Sequence, residues 1–424
     1  MTVLSERALE RRLKRHVRGQ LQTFFAVCAP GFESVLENEV RALAAISEAD
    51  ITVGETARGG VHFTGHLDSM YYAHLHLYSA TRLLWRVDTF LAQSLPMLFD
   101  KARKVPWEHY LALADAYTIR VSAKTSRLTH QRAVAGSLSQ AISRALNPHG
   151  LAPQYVDKID PERAEATLEL HVRLFQDTCT LSINTSGDHL YKRGYRSLPH
   201  PAPLRETLAS SLLQDLQVTT YDTLLDPMCG SGTLPIEAAL LCSHLPPGYL
   251  SPNDLSSNDL SLNNNASVPR HYAFEQLPTF QASKWQRLRQ EAVAASAPCA
   301  LRIVAGDHHA DAVAMTEKHA RAAGVGEMIE VVKRDARAWL QKDMMQLEGR
   351  TLIFGNAPYG KRLQEADEVT TLQSLQQHLQ SVRAAGRDVT LAVITSPQTA
   401  QKLIGFTTHK RFRNGGLTVV LLVA

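Results

Sequence analysis

The stretch Asp226-Pro227-Met228-Cys229-Gly230-Ser231-Gly232-Thr233 decides the fold of the C-terminal half of the chain. It follows the apolar pair Leu224-Leu225 and precedes the apolar run 234–240, a pattern that predicts a buried strand, a glycine turn and a helix. Glycine lets the backbone approach a ligand closely, and the first turn of a helix presents unpaired N–H groups to a polar ligand. The stretch therefore predicts a cofactor-binding turn.

A GxG turn alone does not separate cofactor binding from a tight turn that uses glycine only for its backbone freedom. Pro235 stands where a dinucleotide-binding turn requires a third small residue, so NAD is disfavoured. A second loop, Asn356-Ala357-Pro358-Tyr359-Gly360, follows the apolar run 352–354 and favours the binding interpretation. The first loop fits S-adenosylmethionine, and the second fits a planar base whose amine receives the methyl group.

Length and composition are those of an ordinary soluble globular protein. The chain has 424 residues, of which 44% are hydrophobic and 20% are charged, and this length suffices for two or three domains. No apolar run approaches the ~20 residues that span a bilayer, and the N-terminus has no hydrophobic signal core. We therefore expect a soluble, cytoplasmic protein without membrane contact. The formal net charge of +4 permits a nucleic-acid partner without demanding one.

The cysteines are scattered along the chain, with no CxxC pair and no histidine at zinc-finger spacing. This distribution supports neither a disulfide framework nor a metal site, so we expect no bound metal. Cys229 lies inside the glycine loop, where a small side chain that fills a tight turn is a better interpretation than a nucleophile.

The first 21 residues form a basic extension with apolar residues near helical spacing. Its charged residues are Arg7, Arg11, Arg12, Lys14, Arg15 and Arg18 against Glu6 and Glu10. Three interpretations fit, in order of preference a solvated tail, an amphipathic helix that lies on RNA, and a transit peptide.

The region from residue 24 to residue 184 mixes strand and helix patterns and indicates small α+β modules, which usually bind rather than catalyse. Strands are predicted at 24–27, 59–63, 117–121, 166–174 and 178–184, and helices at 32–45 and 69–84. Lys124, Arg127 and Arg132 lie among short hydroxyl side chains. This combination suits contact with RNA phosphates as well as it suits a solvated loop beside a helix.

A domain boundary is predicted where glycines, prolines and a basic cluster interrupt the pattern, in SGDHLYKRGYR at 186–196 and HPAP at 200–203. Lys192 and Arg193 in this cluster are candidates for bridging both domains to one RNA.

The C-terminal region shows the βαβ rhythm of a parallel sheet covered on both faces. Strands are predicted at 223–225, 301–305, 329–332, 351–354 and 389–394, with helices near 234–243, 309–323 and 368–385. The last part, 408–423, contains an Asn-Gly-Gly turn and predicts a hairpin. Residues 251–267 are rich in Ser, Asn and Asp and are interpreted as a surface insertion. A parallel sheet that closes with an antiparallel hairpin indicates a Rossmann-like class I methyltransferase.

The sequence resembles those of the THUMP-domain RNA guanine-N2 methyltransferases, and most closely the branch that modifies bacterial 23S rRNA. The resemblance runs from about Phe24 to the end without the insertion, and its motifs are SGDHLYKRGYR at 186–196, APLRETLA at 202–209, DPMCGSGTLPIEAA at 226–239, NAPYGKRL at 356–363 and RNGGL at 413–417. It implies a ferredoxin-like and THUMP region that captures RNA before a seven-stranded, S-adenosylmethionine-dependent catalytic domain. The implied division is 1–21 extension, 22–70 ferredoxin-like module, 71–186 THUMP domain, 187–203 linker and 204–424 methyltransferase domain.

The resemblance also implies roles for individual residues. Asp226, Gly230, Gly232 and Thr233 belong to the cofactor loop, where the first three would line the methionine end. Asp307 matches the carboxylate that accepts the ribose hydroxyls, a role that suits a carboxylate at the end of a strand. Asp335 matches the residue at the adenine amine, but a helix N-cap before residues 336–339 is a serious alternative.

The loop Asn356, Ala357, Pro358 and Tyr359 departs from the family's NPPY form, because Ala357 replaces the first proline. In that motif the asparagine oxygen and the following carbonyl accept the two amine N–H bonds, and the aromatic ring stacks on the base. Ala357 retains its carbonyl, and Pro358 still favours an extended residue before it. Transfer should therefore survive, and Ala357→Pro should be tolerated if the Ala357 N–H is not itself hydrogen-bonded.

Two other functions remain open at this point. The same loop serves adenine N6 in DNA or RNA, and a tRNA guanine is as compatible with it as an rRNA guanine. An RNA-binding protein with an inactive cofactor fold is the alternative from a different class, with Ala357 as its sign. The sequence does not reveal the modified nucleotide or the oligomeric state.

Overall fold

The structure, a computed structural model, describes residues 4–46, 50–160, 167–196, 204–248, 271–336, 338, 349–357 and 365–424. Pro358, Tyr359 and the expected insertion at 251–267 lie outside the described residues. The described chain is organised around two sheets, one in each half.

One mixed sheet of eight strands organises the described N-terminal half. Its strands are β1 (Gln22–Val27), β2 (Thr52–Ala57), β3 (Gly60–Gly65), β4 (Arg82–Leu91), β5 (Ala116–Lys124), β6 (Gln154–Tyr155), β7 (Thr167–Phe175) and β8 (Thr178–Asn184). The helices are α1 (Glu6–Leu13), α2 (Glu33–Ile46), α3 (Asp68–His76), α4 (Leu95–Ala102), α5 (Glu108–Leu111) and α6 (Gln131–Leu146). The strand order is β2-β3-β1-β4-β8-β7-β5-β6. Strand β4 makes the sheet continuous, because it pairs with β1 on one side and with β8 on the other.

Side chains alternate between the two faces of this sheet, as the two-residue period of a strand requires. Phe24 and Trp85 are buried on one face, in a core that includes apolar residues of α2, α3 and α6. Their neighbours Phe25 and Arg86 point to the opposite face and are only partly buried. The sheet therefore has one apolar face under helices and one polar face.

The helix predicted at 69–84 is too long, because α3 ends at His76 and residues 82–91 form β4. Leu77, which ends the helix, has an extended backbone. Residues 83–85 pair with β1, and Leu83 and Trp85 reach the core as part of a strand. Tertiary pairing outweighs the local helical periodicity here.

The preferred interpretation of the N-terminal extension as a solvated tail is wrong. Residues 6–13 form α1, capped by Ser5, and a π-helical segment continues from Lys14 to Arg18. Leu13 and Val17 are buried in the N-terminal core, and Arg12 forms an ion pair of 2.7 Å with Glu108 of α5. The extension is thus a docked helix.

The C-terminal half contains the expected parallel sheet. Its strands are β9 (Thr223–Asp226), β10 (Arg302–Asp307), β11 (Ile329–Lys333), β12 (Thr351–Asn356), β13 (Val389–Thr395), β14 (Thr407–Asn414) and β15 (Leu417–Val423). The helices are α7 (Glu206–Asp215), α8 (Thr233–Cys242), α9 (Ala282–Ala294), α10 (Ala310–Ala322), α11 (Glu365–Ala384) and α12 (Pro397–Ala400). In the order β11-β10-β9-β12-β13-β15-β14 the first five strands are parallel and the last two form an antiparallel hairpin, which confirms the predicted fold class.

Each half of the chain contributes side chains to the hydrophobic core of the other half. Phe274 and Trp285, which follow the glycine loop in sequence, pack against Tyr71 of α3 in the N-terminal core. In the other direction, Phe32 lies in the C-terminal core, with its ring 5.7 Å from that of Phe412. The halves are therefore joined by more than the segment that links them.

Within the described ranges, no helix has both the length and the apolar character needed to cross a membrane. The same residues contain no group of three or more His, Cys, Asp or Glu placed to hold a metal ion.

Candidate functional site

The expected site residues converge at the carboxyl edge of the parallel sheet. Asp226 ends β9, Asp307 ends β10 and Asn356 ends β12, and β9 pairs in parallel with both of the other strands. Gly355 brings the backbone of β12 against the glycine loop, since a Cβ atom there would lie 3.1 Å from Cγ of Met228. Ligands of open α/β sheets bind at this edge.

The glycines of the loop are required by its conformation. Gly230 and Gly232 have φ angles of +56° and +80°, which favour glycine. A Cβ atom on Gly232 would lie 2.7 Å from the methyl group of Thr316, while the space beside Gly230 is open. Helix α8 begins at Thr233 without a side-chain cap, so its first N–H groups are available to a polar ligand.

Asp307 anchors this loop in addition to its expected role. Its Oδ2 atom accepts a hydrogen bond of 3.0 Å from the Gly230 N–H, and its Oδ1 atom accepts one of 2.9 Å from the His309 N–H. The side chain is buried, and Cys229 N–H donates to the carbonyl of neighbouring Gly306. A carboxylate offers about four acceptor sites, so two ribose hydroxyls can still be accommodated.

Asp226 lies beneath the loop and is 1% exposed. Burial, and to a smaller degree the nearby charge of Asp307, raise the pKa of Asp226 to about 8, against the effect of a hydrogen bond from the Met228 N–H. This environment favours the protonated form of the side chain, and a cationic group placed beside it would favour the carboxylate.

The thiol of Cys229 is buried against Thr316, whose hydroxyl oxygen lies 3.5 Å from the sulfur. Burial raises the pKa of this thiol well above its usual value, and reactive cysteines require the opposite shift. This environment agrees with a small side chain that fills the turn.

Asn356 carries an unsatisfied acceptor at the edge of the sheet. Its Oδ1 atom is buried and has no hydrogen-bond partner among the described residues. The next residue, Ala357, is 1% exposed, and its N–H donates to the carbonyl of Ile394 on β13 at 3.1 Å. The condition on which Ala357→Pro would be tolerated is therefore not met.

Thr233 and Asp335 lie at the same edge in different surroundings. The Thr233 hydroxyl oxygen accepts a hydrogen bond from Arg196, whose Nε atom lies 3.3 Å from a carboxylate oxygen of Glu206. Asp335 follows β11, is partly buried, and its backbone carbonyl accepts a hydrogen bond from the Ala338 N–H. This backbone turn is compatible with both roles considered for the Asp335 side chain, the helix N-cap and the contact with the adenine amine.

Four of the five expected RNA-binding cations are exposed: Lys124, Arg127, Arg132 and Lys192. Two of them have acidic neighbours, since the Nε atom of Arg127 lies 3.4 Å from Asp177 and the Nζ atom of Lys192 lies 2.9 Å from Asp188.

Arg193 is not an RNA contact, which corrects the expectation from the basic cluster. It is 3% exposed, donates to the carbonyls of Tyr78 and Leu190, and lies 3.4 Å from the Glu237 carboxylate of α8. Glu237 also accepts hydrogen bonds from Tyr195 and from a serine of α7. A guanidinium enclosed in this way cannot reach a phosphate.

The roles of Arg196, Glu237 and Thr316 were missed by sequence reasoning. Glu237 is a charged residue in an otherwise apolar predicted helix, and this was an available signal. Arg196 lies at the end of the basic motif at 186–196. Thr316 lies on α10, and its hydroxyl donates to the Gly230 carbonyl at 3.0 Å. Nothing in its sequence surroundings distinguishes it from an ordinary helical threonine.

The fold and this edge site together define a Rossmann-like class I methyltransferase. The chain belongs to the RMKL-like methyltransferase domain family, whose model matches residues 193–415. Two further family models match the N-terminal half: the RlmL ferredoxin-like domain at residues 23–84 and the THUMP domain at residues 92–184.

Curated relatives are similar over most of this chain. The chain is 31% identical over 419 residues to a ribosomal RNA large subunit methyltransferase K/L of Syntrophotalea carbinolica, and 28% identical over 406 residues to that of Psychromonas ingrahamii. These alignments cover 94% of this chain but 53% and 49% of the two relatives. The chain thus spans about half the length of the curated relatives it matches.

Solved structures share the fold over the whole described architecture. SMU.472 in complex with SAH aligns with a TM-score of 0.75 at 23% identity, covering 95% of this chain and 98% of the other. A predicted N6-adenine-specific DNA methylase from Listeria monocytogenes aligns with a TM-score of 0.75 at 24% identity, covering 95% and 96%. At these identities the likeness shows the fold alone.

Proposed function

We propose that this protein transfers a methyl group from S-adenosylmethionine to the exocyclic N2 amine of a guanine in structured RNA, with large-subunit ribosomal RNA as the substrate. The observation that carries the proposal is the unsatisfied, buried Oδ1 atom of Asn356 beside the glycine loop. A buried acceptor without a partner is costly, and an amine donor from a bound base would satisfy it. The names of the curated relatives support ribosomal RNA as the source of that base.

The residues at the edge fit S-adenosylmethionine. When bound, this cofactor supplies an electrophilic methyl group on a sulfonium sulfur. Gly230 leaves open space beside the loop, and the uncapped start of α8 offers N–H groups to a carboxylate. Asp226 would bind the cationic methionine end, and Asp307 would accept the ribose hydroxyls. Asp335 would contact the adenine amine.

The chain's contribution to the reaction is to position the amine. Guanine N2 is a weak nucleophile because its lone pair is delocalised into the ring. Oδ1 of Asn356 and the carbonyl of Ala357 would accept its two N–H bonds and favour a tetrahedral nitrogen, so that the lone pair is directed at the methyl group. Pro358 and Tyr359 would complete the loop, with the Tyr359 ring stacked on a base taken out of its RNA stack. Orientation of this kind accounts for much of the rate in such displacements.

The proposal assigns capture of the RNA to the N-terminal half. The domain division at residues 22–70, 71–186, 187–203 and 204–424 belongs to the proposal, as does a cytoplasmic location. Lys124, Arg127, Arg132 and Lys192 are exposed on the described surface and remain the proposed phosphate contacts from sequence. The docked helix α1 adds further exposed cations to the same half.

Single-turnover transfer of labelled methyl to protein-free ribosomal RNA, followed by nucleoside identification, tests the proposal. We expect N2-methylguanine from the wild type. Asn356→Ala should reduce transfer on the order of a hundredfold, since mutation of one preorganised polar contact has this effect in other enzymes. It should leave S-adenosylmethionine affinity nearly unchanged.

Asn356→Asp is the matched control, because it keeps an acceptor oxygen and should retain more transfer than Asn356→Ala. N6-methyladenine as the product would assign the protein to the adenine-N6 alternative. Cofactor binding without transfer to any RNA would indicate an RNA-binding protein with an inactive site. An Asn356→Ala enzyme at full rate would remove Asn356 from the mechanism.

A further inference from the structure

The polar face of the eight-stranded sheet is rich in cations. On β4, β5 and β7, residues that alternate with the buried apolar positions point away from the helices. The cations among them are Arg82, Arg86, Arg120, Lys124 and Arg173. Only Lys124 of this set was expected from sequence to contact RNA.

Strand register brings these side chains into neighbouring rows. Arg86 is opposite Ser182, Ser182 is opposite His171, and His171 is opposite Arg120. In the next row, Arg173 lies between Thr180 on β8 and Ser122 on β5. Directly opposite residues share a face of the sheet, so hydroxyl groups and one histidine lie between the arginines across it.

Positive charge on this face is only partly compensated. Glu169 is held by Arg120 at 2.6 Å and lies 3.8 Å from Arg82. Among the described residues, no carboxylate lies within ion-pair distance of Arg86 or Arg173. Burial and the charge of Arg173 lower the pKa of Arg86 to about 10, and the buried Nε atom of Arg86 has no hydrogen-bond partner in the described structure.

Two further carboxylates, Glu55 and Asp188, lie near this face, and the charge of Asp188 acts on Arg82 and on His189. Glu55 on β2 and Arg86 both act on His62 of β3, whose pKa is lowered chiefly by burial. The guanidinium of Arg86 lies 4.5 Å from the centre of the Phe25 ring. The face therefore presents more cations than carboxylates to an incoming partner.

The cationic surface continues onto the C-terminal half. The charge of Arg82 contributes to lowering the pKa of His189, after the larger effect of burial, so the two side chains are close. His189 stacks on Tyr191 with ring centres 5.0 Å apart, and the guanidinium of Arg205 lies 4.9 Å from the Tyr191 ring centre. Arg205 is exposed and directly precedes α7 of the methyltransferase domain.

We propose that the polar face of the eight-stranded sheet, extended by His189, Tyr191 and Arg205, is a contact surface for the sugar–phosphate backbone of RNA. This inference rests on the proposed function for the identity of the partner. Arginine and lysine interleaved with serine and threonine hydroxyls is the combination that contacts phosphate oxygens. A polyanion would supply the counter-charge that Arg86 and Arg173 lack, and the extension to Arg205 would lead it from the capture region to the catalytic domain.

A triple variant of exposed cations tests the surface: Lys124→Gln, Arg173→Gln and Arg205→Gln in the full chain. Binding of labelled, protein-free large-subunit ribosomal RNA is measured over a salt series. We expect affinity to fall at least about tenfold at low salt, and the slope of log affinity against log salt to become shallower by roughly 0.7 for each cation removed.

The matched control removes three exposed cations from the helical side of the same half, by Lys101→Gln, Lys104→Gln and Arg144→Gln. It loses the same net charge and should bind within about twofold of the wild type with an unchanged slope. S-adenosylmethionine affinity of both variants, measured by calorimetry, reports that the fold is intact. Equal losses in the test and control variants would overturn the proposal, since they would indicate a nonspecific effect of charge.

Failure of this inference and failure of the proposed function are distinguishable. If the wild type binds RNA through these cations but transfers no methyl group, the surface assignment stands and the proposed reaction fails. If the wild type methylates RNA while the triple variant binds it as tightly as the wild type, the surface assignment fails alone. Competition by polyglutamate as effective as that by RNA would also overturn it, in favour of an acidic protein partner.

Discussion

The backbone N–H of Ala357 shows how one hydrogen bond changes the expected effect of a substitution. It donates to the Ile394 carbonyl, and the residue is almost fully buried. Proline has no N–H, so Ala357→Pro would leave that carbonyl without its donor inside the C-terminal core. The family's proline and this chain's alanine are therefore not interchangeable in this backbone.

We expect Ala357→Pro to lower the free energy of unfolding by about 1–3 kcal/mol, the usual cost of leaving a buried polar group unsatisfied. Urea unfolding followed by circular dichroism measures the change. Ala357→Gly is the control, since it keeps the N–H and should lose less. A proline variant as stable as the wild type would show that this bond contributes nothing net.

The raised pKa of Asp226 predicts a pH-dependent affinity for S-adenosylmethionine. The carboxylate form binds a cationic methionine end better than the protonated form does, so affinity should rise as pH increases toward about 8 and level off above it. Calorimetry in buffers of different ionisation enthalpy should detect proton release on binding. Asp226→Asn should bind more weakly and lose this part of the pH dependence; an identical pH profile in the variant would exclude Asp226 as its source.

At the residue scale, the sequence predicted which residues end the strands better than it predicted which charged side chains are buried. Asp226, Asp307 and Asn356 each follow an apolar run, so a parallel sheet brings them to one edge. Arg193 stands beside Lys192 in the same basic cluster, yet one is buried and the other exposed. That difference depends on partners distant in sequence, which local charge does not reveal.

At the element scale, a buried polar network fixes helix α8 to residues 193–196, which precede helix α7. Arg193 and Tyr195 contact Glu237 at the middle of α8, and Arg196 contacts Thr233 at its start. Because the glycine loop leads directly into α8, the network also holds the proposed cofactor loop in place.

We expect Arg193→Leu to destabilise the protein by about 3–5 kcal/mol, because it leaves the Glu237 carboxylate buried without its counter-charge. The combined change of Arg193→Leu and Glu237→Leu should recover much of that loss. Urea unfolding measures both variants. The salt dependence of RNA binding should be the same in the double variant as in the wild type, and a shallower slope would restore Arg193 as a phosphate contact.

Helices and strands were predictable where the apolar pattern was regular and the element had a uniform environment along its length. The five parallel strands and the final hairpin were found within a few residues, because strands buried on both faces give continuous apolar runs. The helix at 69–84 was too long because it ends at His76 and because residues 82–84 belong to strand β4, which is paired on both sides. The docking of residues 6–18 depends on two buried apolar side chains, Leu13 and Val17, which are a weak signal in a basic segment.

At the scale of the whole molecule, each half buries side chains in the core of the other, which argues against independent folding of the two halves. If the predicted boundary at residues 200–203 separated independent domains, residues 200–424 would fold alone and bind cofactor. In the structure this fragment would lose Arg193 and Tyr195 as partners of Glu237, and the cover that Tyr71 gives to Phe274.

We therefore expect residues 200–424 alone to unfold at lower urea concentration, to expose aromatic surface and to bind S-adenosylmethionine more weakly than the full chain. A fragment of residues 186–424 restores Arg193 and Tyr195 and should be intermediate. Circular dichroism and calorimetry on both fragments check the order. Full-length affinity and stability in the shorter fragment would show that the catalytic half is autonomous.

The seating of residues 272–292 in the N-terminal core also bears on how the protein is made. Lys284 contacts Asp68, which precedes it by 216 residues, and Gln281 donates its N–H to the hydroxyl of Tyr71. At roughly 5–20 residues per second, a ribosome needs on the order of ten to forty seconds to deliver that segment after Tyr71 has been synthesised. During this interval the nascent N-terminal half exposes the apolar surface that the later segment covers. The N-terminal half can therefore complete its folding only after most of the chain has been synthesised. We expect a chaperone that covers helix α3 during translation to raise the yield of folded protein.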